Sequence, residues 1–365
     1  MTTGVLPGWV DFPGAEWARI TPSDAGLDVD AWTEFLGSRK VGAESWEGEE
    51  HDETQYGCVL TRAGRILHVW GNPDYMAQSA SLGKAFTWAA FGLAVDAGLV
   101  SPDDLVLDTW TGEGQLSDEH KRLDRGHHLK LKWRHLLGLK DGYGHDGGFP
   151  VTNGYYWRRR SSGQMKSQAN LASPEWANWT GDPSYDNYSH VEPGTQRIYS
   201  SGGMWRMSQA LTALWGDDLK NVLDRRLFGP IGISADRWTW TPGRSVHDDP
   251  TWYPEMPGYG DFLDPPYEIG GHPVRGGGGW AVMTPLDLAR FGHLVATGGI
   301  WEGERVIGDD WLRGHHGGNA SQVSGEGVHF TAMGRVATSG VDHLGGEGRD
   351  PAVPLNLFVR EPGLS

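Results

Sequence analysis

A serine and a lysine three residues apart, Ser81 and Lys84, are the pair of side chains best suited to chemistry in this sequence. The stretch 85–100 behind them is predominantly apolar and free of proline, which predicts a buried helix. Residues three apart share one helix face, so the lysine amine can reach the serine hydroxyl. A neighbouring amine can take the proton of a hydroxyl that is otherwise a poor nucleophile. The pair therefore predicts an acyl-transfer serine with a lysine base.

The same spacing has a simpler interpretation, because Ser-x-x-Lys occurs by chance in most sequences of this length. Ser81 would then be a helix N-cap and Lys84 a solvated lysine. Ser79 is a weaker candidate nucleophile, since position 82 is Leu and no lysine follows three residues later.

A second candidate for chemistry is Tyr199, which follows the turn Pro193-Gly194 and a short extended piece. The next helix is predicted to begin after Gly202-Gly203. A phenol at such a junction can project into a cleft and share general-base work with Lys84. The commoner role of an isolated tyrosine, a half-buried ring with a satisfied hydroxyl, stays open.

Periodicity predicts the elements that must position these side chains. Residues 28–39 have a helical apolar stripe, and 56–71 read as a hairpin that turns at Arg62-Ala63-Gly64. Further helical segments are Leu129–Leu139, Gly203–Leu214 and Leu219–Leu227, and later strands are His329–Thr338 and Leu355–Arg360.

Nineteen tryptophans stand out, many of them in loops beside glycine, proline and aspartate. Trp157 in Tyr155-Tyr156-Trp157 and the pair in Trp238-Thr239-Trp240 are examples. Such aromatic loops can line an apolar acyl pocket, with Trp157 as a candidate substrate contact. They can equally pack as lids over a large core.

Composition limits the class of protein. With 365 residues, 38% hydrophobic and 21% charged, the chain is long enough for one large globular domain or two lobes. A net charge of −16 disfavours nucleic acid and anionic membrane surfaces as partners. The single cysteine, Cys58, excludes an internal disulfide and lies in a strand-like apolar run, which predicts a buried inert thiol.

Neither an apolar stretch long enough to span a membrane nor a basic, apolar secretory leader is evident, so we expect a cytoplasmic protein. His127-His128 and His315-His316 suggest a metal, but no helical His-x-x-x-His pair or carboxylate pattern accompanies them. We therefore expect a metal-independent protein without a cofactor. The sequence leaves open whether the chain forms a homo-oligomer.

Together with supporting stretches, these motifs resemble the serine β-lactamase and penicillin-binding-protein superfamily. The closest resemblance is to its class C-like branch, which includes family VIII carboxylesterases, D-aminopeptidases and nylon-oligomer hydrolases. The matching motifs are Ser81-x-x-Lys84 and Tyr199-Ser200-Ser201. The supporting stretches follow in the family's order across roughly residues 20–315 and are His135-Leu136-Leu137, Pro193-Gly194-Thr195, Leu227–Ile233 and Gly276–Gly279 leading to Thr284–Phe291.

This resemblance implies acylation of Ser81, with Lys84 and Tyr199 as the proton-transfer pair and Ser201 beside the substrate. It implies an oxyanion hole built from the Ser81 backbone N–H and the strand of a third motif. That motif is not plain in this sequence. His316-Gly317 is one candidate and Asp342-His343 the other, and the glycines after His316 favour the first narrowly.

The resemblance also implies an α/β (α+β) fold of the β-lactamase-like type: an antiparallel sheet flanked by helices, plus a mostly helical lobe. We expect the sheet lobe to comprise 1–98 and 262–365, and the helical lobe with its long aromatic loops 99–261. The expected activity is hydrolysis of small carboxylic esters through an acyl-enzyme.

Two alternatives remain. The first is an amidase or peptidase acting on D-amino-acid or ω-amino-acid amides, for which Asp141, Asp146 or Arg158 could anchor the substrate terminus. The second is a non-catalytic binding protein that has kept the fold. Whether water or another nucleophile takes the acyl group is also open.

Overall fold

The computed structural model describes residues 6–38, 54, 56–109, 129–141, 192–195, 201–242, 268–279 and 281–308, together with two short strands within 329–336. The described helices are α1 (Val29–Ser38), α2 (Lys84–Asp96), α3 (Val106–Thr109), α4 (Trp133–Leu137), α5 (Ser201–Trp215), α6 (Leu219–Leu223) and α7 (Pro285–Ala296). The described strands are β1 (Gly57–Arg62), β2 (Arg65–Gly71), β3 (Ala77–Gln78), β4 (Thr239–Trp240), β5 (Glu268–Ile269), β6 (His272–Pro273), β7 (Ala281–Met283), β8 (Ile300–Trp301), β9 (Glu304–Arg305), β10 (His329–Thr331) and β11 (Gly334–Val336).

The predicted hairpin is confirmed as β1 and β2, which pair antiparallel with a register shift at Leu60/Thr61. Its turn has positive φ at both Ala63 (53°) and Gly64 (79°), the combination that suits the twist of a two-residue hairpin. Helix α7 packs on it through Ala289. Cys58 lies in β1 opposite Trp70, half-buried, and burial raises the pKa of its thiol to about 11.

Helix α2 confirms the predicted buried helix and forms the middle of the main core. Every residue from Lys84 to Ala94 is buried, as expected for a helix that is apolar on all sides. It packs against α5 and α6. A 3₁₀ turn, Ala80–Gly83, leads into it, so the helix proper begins at Lys84 and Ser81 lies one turn earlier.

Strand β3 directly precedes that turn, and it belongs to a three-stranded antiparallel sheet of order β3–β7–β4. Ala77 pairs with Met283, and Trp240 pairs with Ala281. Helix α7 follows β7 directly, with Pro285 in its first turn and Thr284 as its N-cap, whose hydroxyl accepts from Asp287 N at 3.1 Å. Strand β7 thus lies between the segment that leads to Ser81 and the strand that carries Trp240.

The helical predictions for the middle of the chain are confirmed in type and partly in length. Helix α5 matches the predicted segment, and α6 passes into a π turn at Asp224–Phe228. Helix α4 is shorter than the predicted Leu129–Leu139, because Lys132 is extended and forms a bridge to Leu105. Strands β10 and β11 fall in the predicted 329–338 stretch, whereas 355–360 lies outside the described residues.

The segment before α1 is tied to α7 by buried contacts. His293 Nε2 bonds to Asp11 O at 2.8 Å, and the Phe12 ring contacts the His293 and Trp301 rings at 5.3 Å each. Burial lowers the pKa of His293 to about 4, so the ring is neutral at pH 7. Arg290 on the same helix donates to the carbonyls of Pro13, Gly14 and Ile231.

Candidate active site

Ser81 is held by backbone contacts between the turn that contains it and the central strand β7. Ser79 N donates to Ala281 O at 2.7 Å, and the Ser79 hydroxyl accepts from Ala281 N at 3.1 Å. Leu82 N donates to Ser79 O at 3.0 Å, which closes the turn. Ser79 therefore fastens this turn to the sheet through both its backbone N–H and its hydroxyl.

Lys84 is the best-defined candidate for chemistry. Its side chain is only 2% exposed, and Nζ donates to Gly278 O at 2.7 Å. Burial of a charged amine is costly unless it is hydrogen-bonded, so the site binds this group at a fixed place. The interpretation of Lys84 as a solvated surface lysine is wrong.

The carbonyl that accepts from Lys84 belongs to a tight turn, Gly276–Gly279, which we call the glycine turn. Gly279 N donates to Gly276 O at 3.0 Å, and Gly276 N donates to Thr241 O at 3.0 Å. A Cβ placed on Gly83 would lie 2.7 Å from the carbonyl carbon of Gly279. The start of α2 and the glycine turn therefore touch backbone to backbone.

Arg275 anchors the residue that enters the glycine turn. Its guanidinium forms a two-point ion pair with Asp218, with Nε to Oδ1 at 2.8 Å, and also donates to Trp240 O. Ser208 on α5 donates to Arg275 O at 2.8 Å. Sequence reasoning missed Arg275 and Asp218, since they are 57 residues apart and carry no motif.

Gly194, which precedes Tyr199 in the sequence, lies against the segment around α4. Gly194 N donates to Lys140 O at 2.8 Å, and a Cβ on Gly194 would lie 3.1 Å from His135 Nε2. His135 Nδ1 accepts from Lys132 N at 3.1 Å, and burial followed by the nearby Lys132 lowers its pKa, so the ring stays neutral. His135 is thus a structural residue at the start of α4.

Asp141 is fully buried against the start of α5. A Cβ on Gly203 would lie 2.7 Å from its carboxyl carbon, so only glycine fits at that position. A carboxylate beside a helix N-terminus is electrostatically favoured. Asp141 therefore packs against the start of α5, and its role as an anchor for the end of a substrate stays a prediction.

Several predicted site residues lie outside the described residues: Tyr199, Trp157, His316, Gly317, His343, His127 and His128. Ser201 begins α5. Among the predicted site residues, the structure describes the backbone turn that contains Ser81 and, next to it in the chain, Lys84, whose amine binds Gly278 O.

Aromatic residues near the site fill the core. Trp238 and Trp240 are 0% and 1% exposed, so for them the core interpretation is correct and the pocket-lining one is wrong. Within the part of the chain that is described, no group of three or more His, Cys, Asp and Glu side chains could hold a metal ion.

Comparison with known families shows which family this chain belongs to. The family model named Beta-lactamase matches residues 58–359, most of the chain. The chain belongs to the β-lactamase family. Its fold is the β-lactamase-like α/β arrangement of mixed helix and sheet, and the protein is a serine hydrolase of this family's esterase and amidase type.

Solved structures of this fold are similar over most of the chain. EstCE1, a hydrolase with promiscuous acyltransferase activity, is 19% identical, with 84% of each chain covered and a TM-score of 0.49. A simvastatin synthase mutant from Aspergillus terreus is 16% identical, with 85% of this chain and 82% of that one covered and a TM-score of 0.47. No curated protein sequence matches the chain significantly.

Among its described helices, none is long and apolar enough to cross a membrane.

Proposed function

We propose that the protein is a carboxylesterase that hydrolyses small esters through an acyl-enzyme on Ser81. The observation that carries this proposal is the buried Lys84, whose Nζ is fixed at Gly278 O one helical turn after Ser81. A buried amine within reach of a serine hydroxyl is what nucleophilic catalysis by serine requires, and the Ser-x-x-Lys spacing provides that reach. Membership of a serine hydrolase family supports the same pairing and disfavours a non-catalytic binding protein.

In the proposed mechanism Ser81 Oγ attacks the ester carbonyl carbon and its proton passes to Lys84, with Tyr199 as partner in the transfer. The carbonyl π electrons move onto oxygen, where the Ser81 N–H and a backbone N–H of the third motif, His316-Gly317 or Asp342-His343, stabilise the negative charge. The tetrahedral intermediate collapses with release of the alcohol, which takes the proton back. Water, deprotonated by the same pair, then attacks the acyl carbon. The bond between that carbon and Ser81 Oγ breaks, Oγ takes the proton back, and the carboxylic acid leaves.

Ester hydrolysis is preferred over amide hydrolysis because the one candidate anchor for an amide substrate among the described residues, Asp141, is buried. The other candidates, Asp146 and Arg158, both lie outside the described residues. An amidase on D-amino-acid or ω-amino-acid amides is therefore the second candidate. Trp157 and Ser201 are proposed substrate contacts in either case.

The same proposal extends to the substrate, the partners, the location and the lobes of the protein. The substrate is a small-molecule ester or amide, and the net charge of −16 argues against nucleic acid and anionic membranes as partners. We also propose a cytoplasmic location, no cofactor or metal, and a cleft between a sheet lobe (1–98, 262–365) and a helical lobe (99–261). Self-association into a homo-oligomer stays an open alternative.

The test is intact mass after incubation with a fluorophosphonate, for wild type, Ser81→Ala and the neighbouring Ser79→Ala. The expected result is one adduct on wild type and on Ser79→Ala, and none on Ser81→Ala. Turnover of p-nitrophenyl esters and matched p-nitroanilides then separates esterase from amidase. An adduct that persists in Ser81→Ala, or a folded wild type that forms none, would overturn the proposal.

A further inference from the structure

All four carbonyls of the glycine turn accept hydrogen bonds from buried side chains. Lys84 Nζ donates to Gly278 O at 2.7 Å and Thr87 Oγ1 to Gly277 O at 2.9 Å. The indole N–H of Trp240 lies between the two ends, 3.1 Å from Gly276 O and 3.0 Å from Gly279 O. Three side chains therefore determine where this short backbone segment lies.

Two of these donors share one helix face and the third comes from the sheet. Lys84 and Thr87 are three residues apart on α2, so both point at the glycine turn. Trp240 lies on β4, and its ring contacts Phe86 at 6.3 Å and Trp238 at 6.2 Å between centroids. Because Trp240 is 1% exposed and packed between other rings, its N–H has little freedom to move.

The glycine turn also has no room to relax toward its neighbours. A Cβ on Gly277 would collide with Met204 O and lie 2.7 Å from Ser208 Cβ. On the other side, Gly279 contacts Gly83 at the start of α2. The position of Gly278 O, and with it that of the Lys84 amine, therefore depends on the donors at Gly276, Gly277 and Gly279.

We propose that Trp240 and Thr87 are positioning residues that hold the glycine turn so that Gly278 O fixes the Lys84 amine for proton transfer. This inference rests on the proposed function, in which Lys84 is the base for Ser81. Neither residue touches the substrate in this scheme. Both act through the backbone carbonyl that binds Lys84.

A purely structural role and a positioning role predict different effects of substitution on the folded fraction and on kcat. If Thr87 and Trp240 only stabilise the fold, their loss lowers the folded fraction and leaves the folded enzyme fully active. If they position Lys84, the folded enzyme loses kcat while KM is nearly unchanged, because substrate binding does not involve them.

The experiment compares Trp240→Phe, Thr87→Val and Thr87→Ser with the matched control Trp238→Phe. Trp238 belongs to the same aromatic cluster and donates to Asp224 Oδ1 at 2.6 Å, away from the glycine turn. Each variant is assayed with p-nitrophenyl butyrate after correction for the folded fraction. Trp240→Phe and Thr87→Val should lower kcat by about 10- to 100-fold, with KM within about two-fold. Thr87→Ser, which keeps the hydroxyl, and Trp238→Phe should stay within about three-fold of wild type.

A second readout needs no turnover. Lys84 is one of eight lysines, so ¹³Cε-lysine NMR can follow it, with its signal assigned by Lys84→Arg. Trp240→Phe and Thr87→Val should move or broaden the Lys84 signal, whereas Trp238→Phe should not. If Trp240→Phe does not fold, the Thr87→Val and Thr87→Ser pair decides.

The outcomes separate the two proposals. An unchanged Lys84 signal in Thr87→Val, or a kcat equal to that of Trp238→Phe, overturns the positioning role. A wild type that forms no fluorophosphonate adduct defeats the proposed function, and the NMR comparison still reports whether Thr87 and Trp240 fix the amine.

Discussion

The burial of Lys84 is costly to the fold, and the proposed mechanism uses this same residue as the base. Its amine is removed from water at the start of a helix that is otherwise apolar, and backbone carbonyl contact compensates part of that cost.

We therefore expect Lys84→Met to separate the two properties. The fluorophosphonate labelling rate should fall by about 10²- to 10⁴-fold, the usual contribution of a general base. The free energy of unfolding should change by no more than about 2 kcal/mol, since the smaller desolvation cost of a methionine offsets the carbonyl left without its donor. Urea titration and labelling kinetics measure both quantities. Labelling at the wild-type rate would show that this lysine is not the base.

His293 provides a pH-dependent contribution to stability at the same scale. Its pKa is about 4 in the folded protein and near 6.5 when unfolded, so between these values the unfolded chain binds more protons. Stability should therefore fall as pH drops from 6.5 toward 4, by about 2–3 kcal/mol from this residue.

The measurement is the free energy of unfolding in urea at pH 7 and pH 4.5 for wild type and His293→Gln. The glutamine amide can still donate to Asp11 O but does not titrate. The wild type should lose more stability than the variant between these two pH values. Equal losses would mean that His293 is not buried in its neutral form.

At the scale of elements, the contact between α2 and the glycine turn tolerates no side chain. Gly83 has ordinary helical backbone (φ −60°), so alanine there is opposed only by space. Its Cβ would lie 2.8 Å from both Gly279 Cα and Ser79 Oγ. The two elements would have to move apart.

Gly83→Ala should lower the free energy of unfolding by about 1–3 kcal/mol, as overpacking does, and slow fluorophosphonate labelling. Gly37→Ala is the matched control, because Gly37 lies in α1 with nothing within 4 Å of its Cβ position. It should be neutral or stabilising by up to about 1 kcal/mol. Chemical denaturation of the two variants checks both values, and equal effects would contradict the close approach.

The sequence predicts well the elements that depend on local pattern. The 56–71 hairpin and the helix behind Ser81 follow from alternation, turn chemistry and an apolar run, and both are present. Lys84 was found because its partner is three residues away. Thr87 and Trp240 were not, because their acceptors lie 190 and 36–39 residues away and carry no side chain to recognise.

At the scale of the whole molecule, Arg290 joins parts of the chain that are far apart in sequence. From α7 it reaches the carbonyls of Pro13 and Gly14 in the N-terminal segment and of Ile231 after the π turn. It is 3% exposed, and a planar guanidinium suits three acceptors better than an ammonium.

Arg290→Lys should therefore lower the free energy of unfolding by about 2–4 kcal/mol, since buried carbonyls lose their donor. Arg225→Lys is the control, because Arg225 is 60% exposed and pairs with Asp217 at the surface. Its effect should stay within about 1 kcal/mol. A similar small effect for both variants in urea titration would show that Arg290 is not a link between these segments.

The solitary thiol of this chain has a practical consequence for labelling. With the pKa of Cys58 raised to about 11, little of it is thiolate at neutral pH, and the thiolate is the form that attacks alkylating reagents. A cysteine introduced at an exposed position, such as Leu99 just after α2, would react first with a maleimide dye. The wild-type sequence is thus already a suitable background for attaching spectroscopic probes, without removal of its native cysteine.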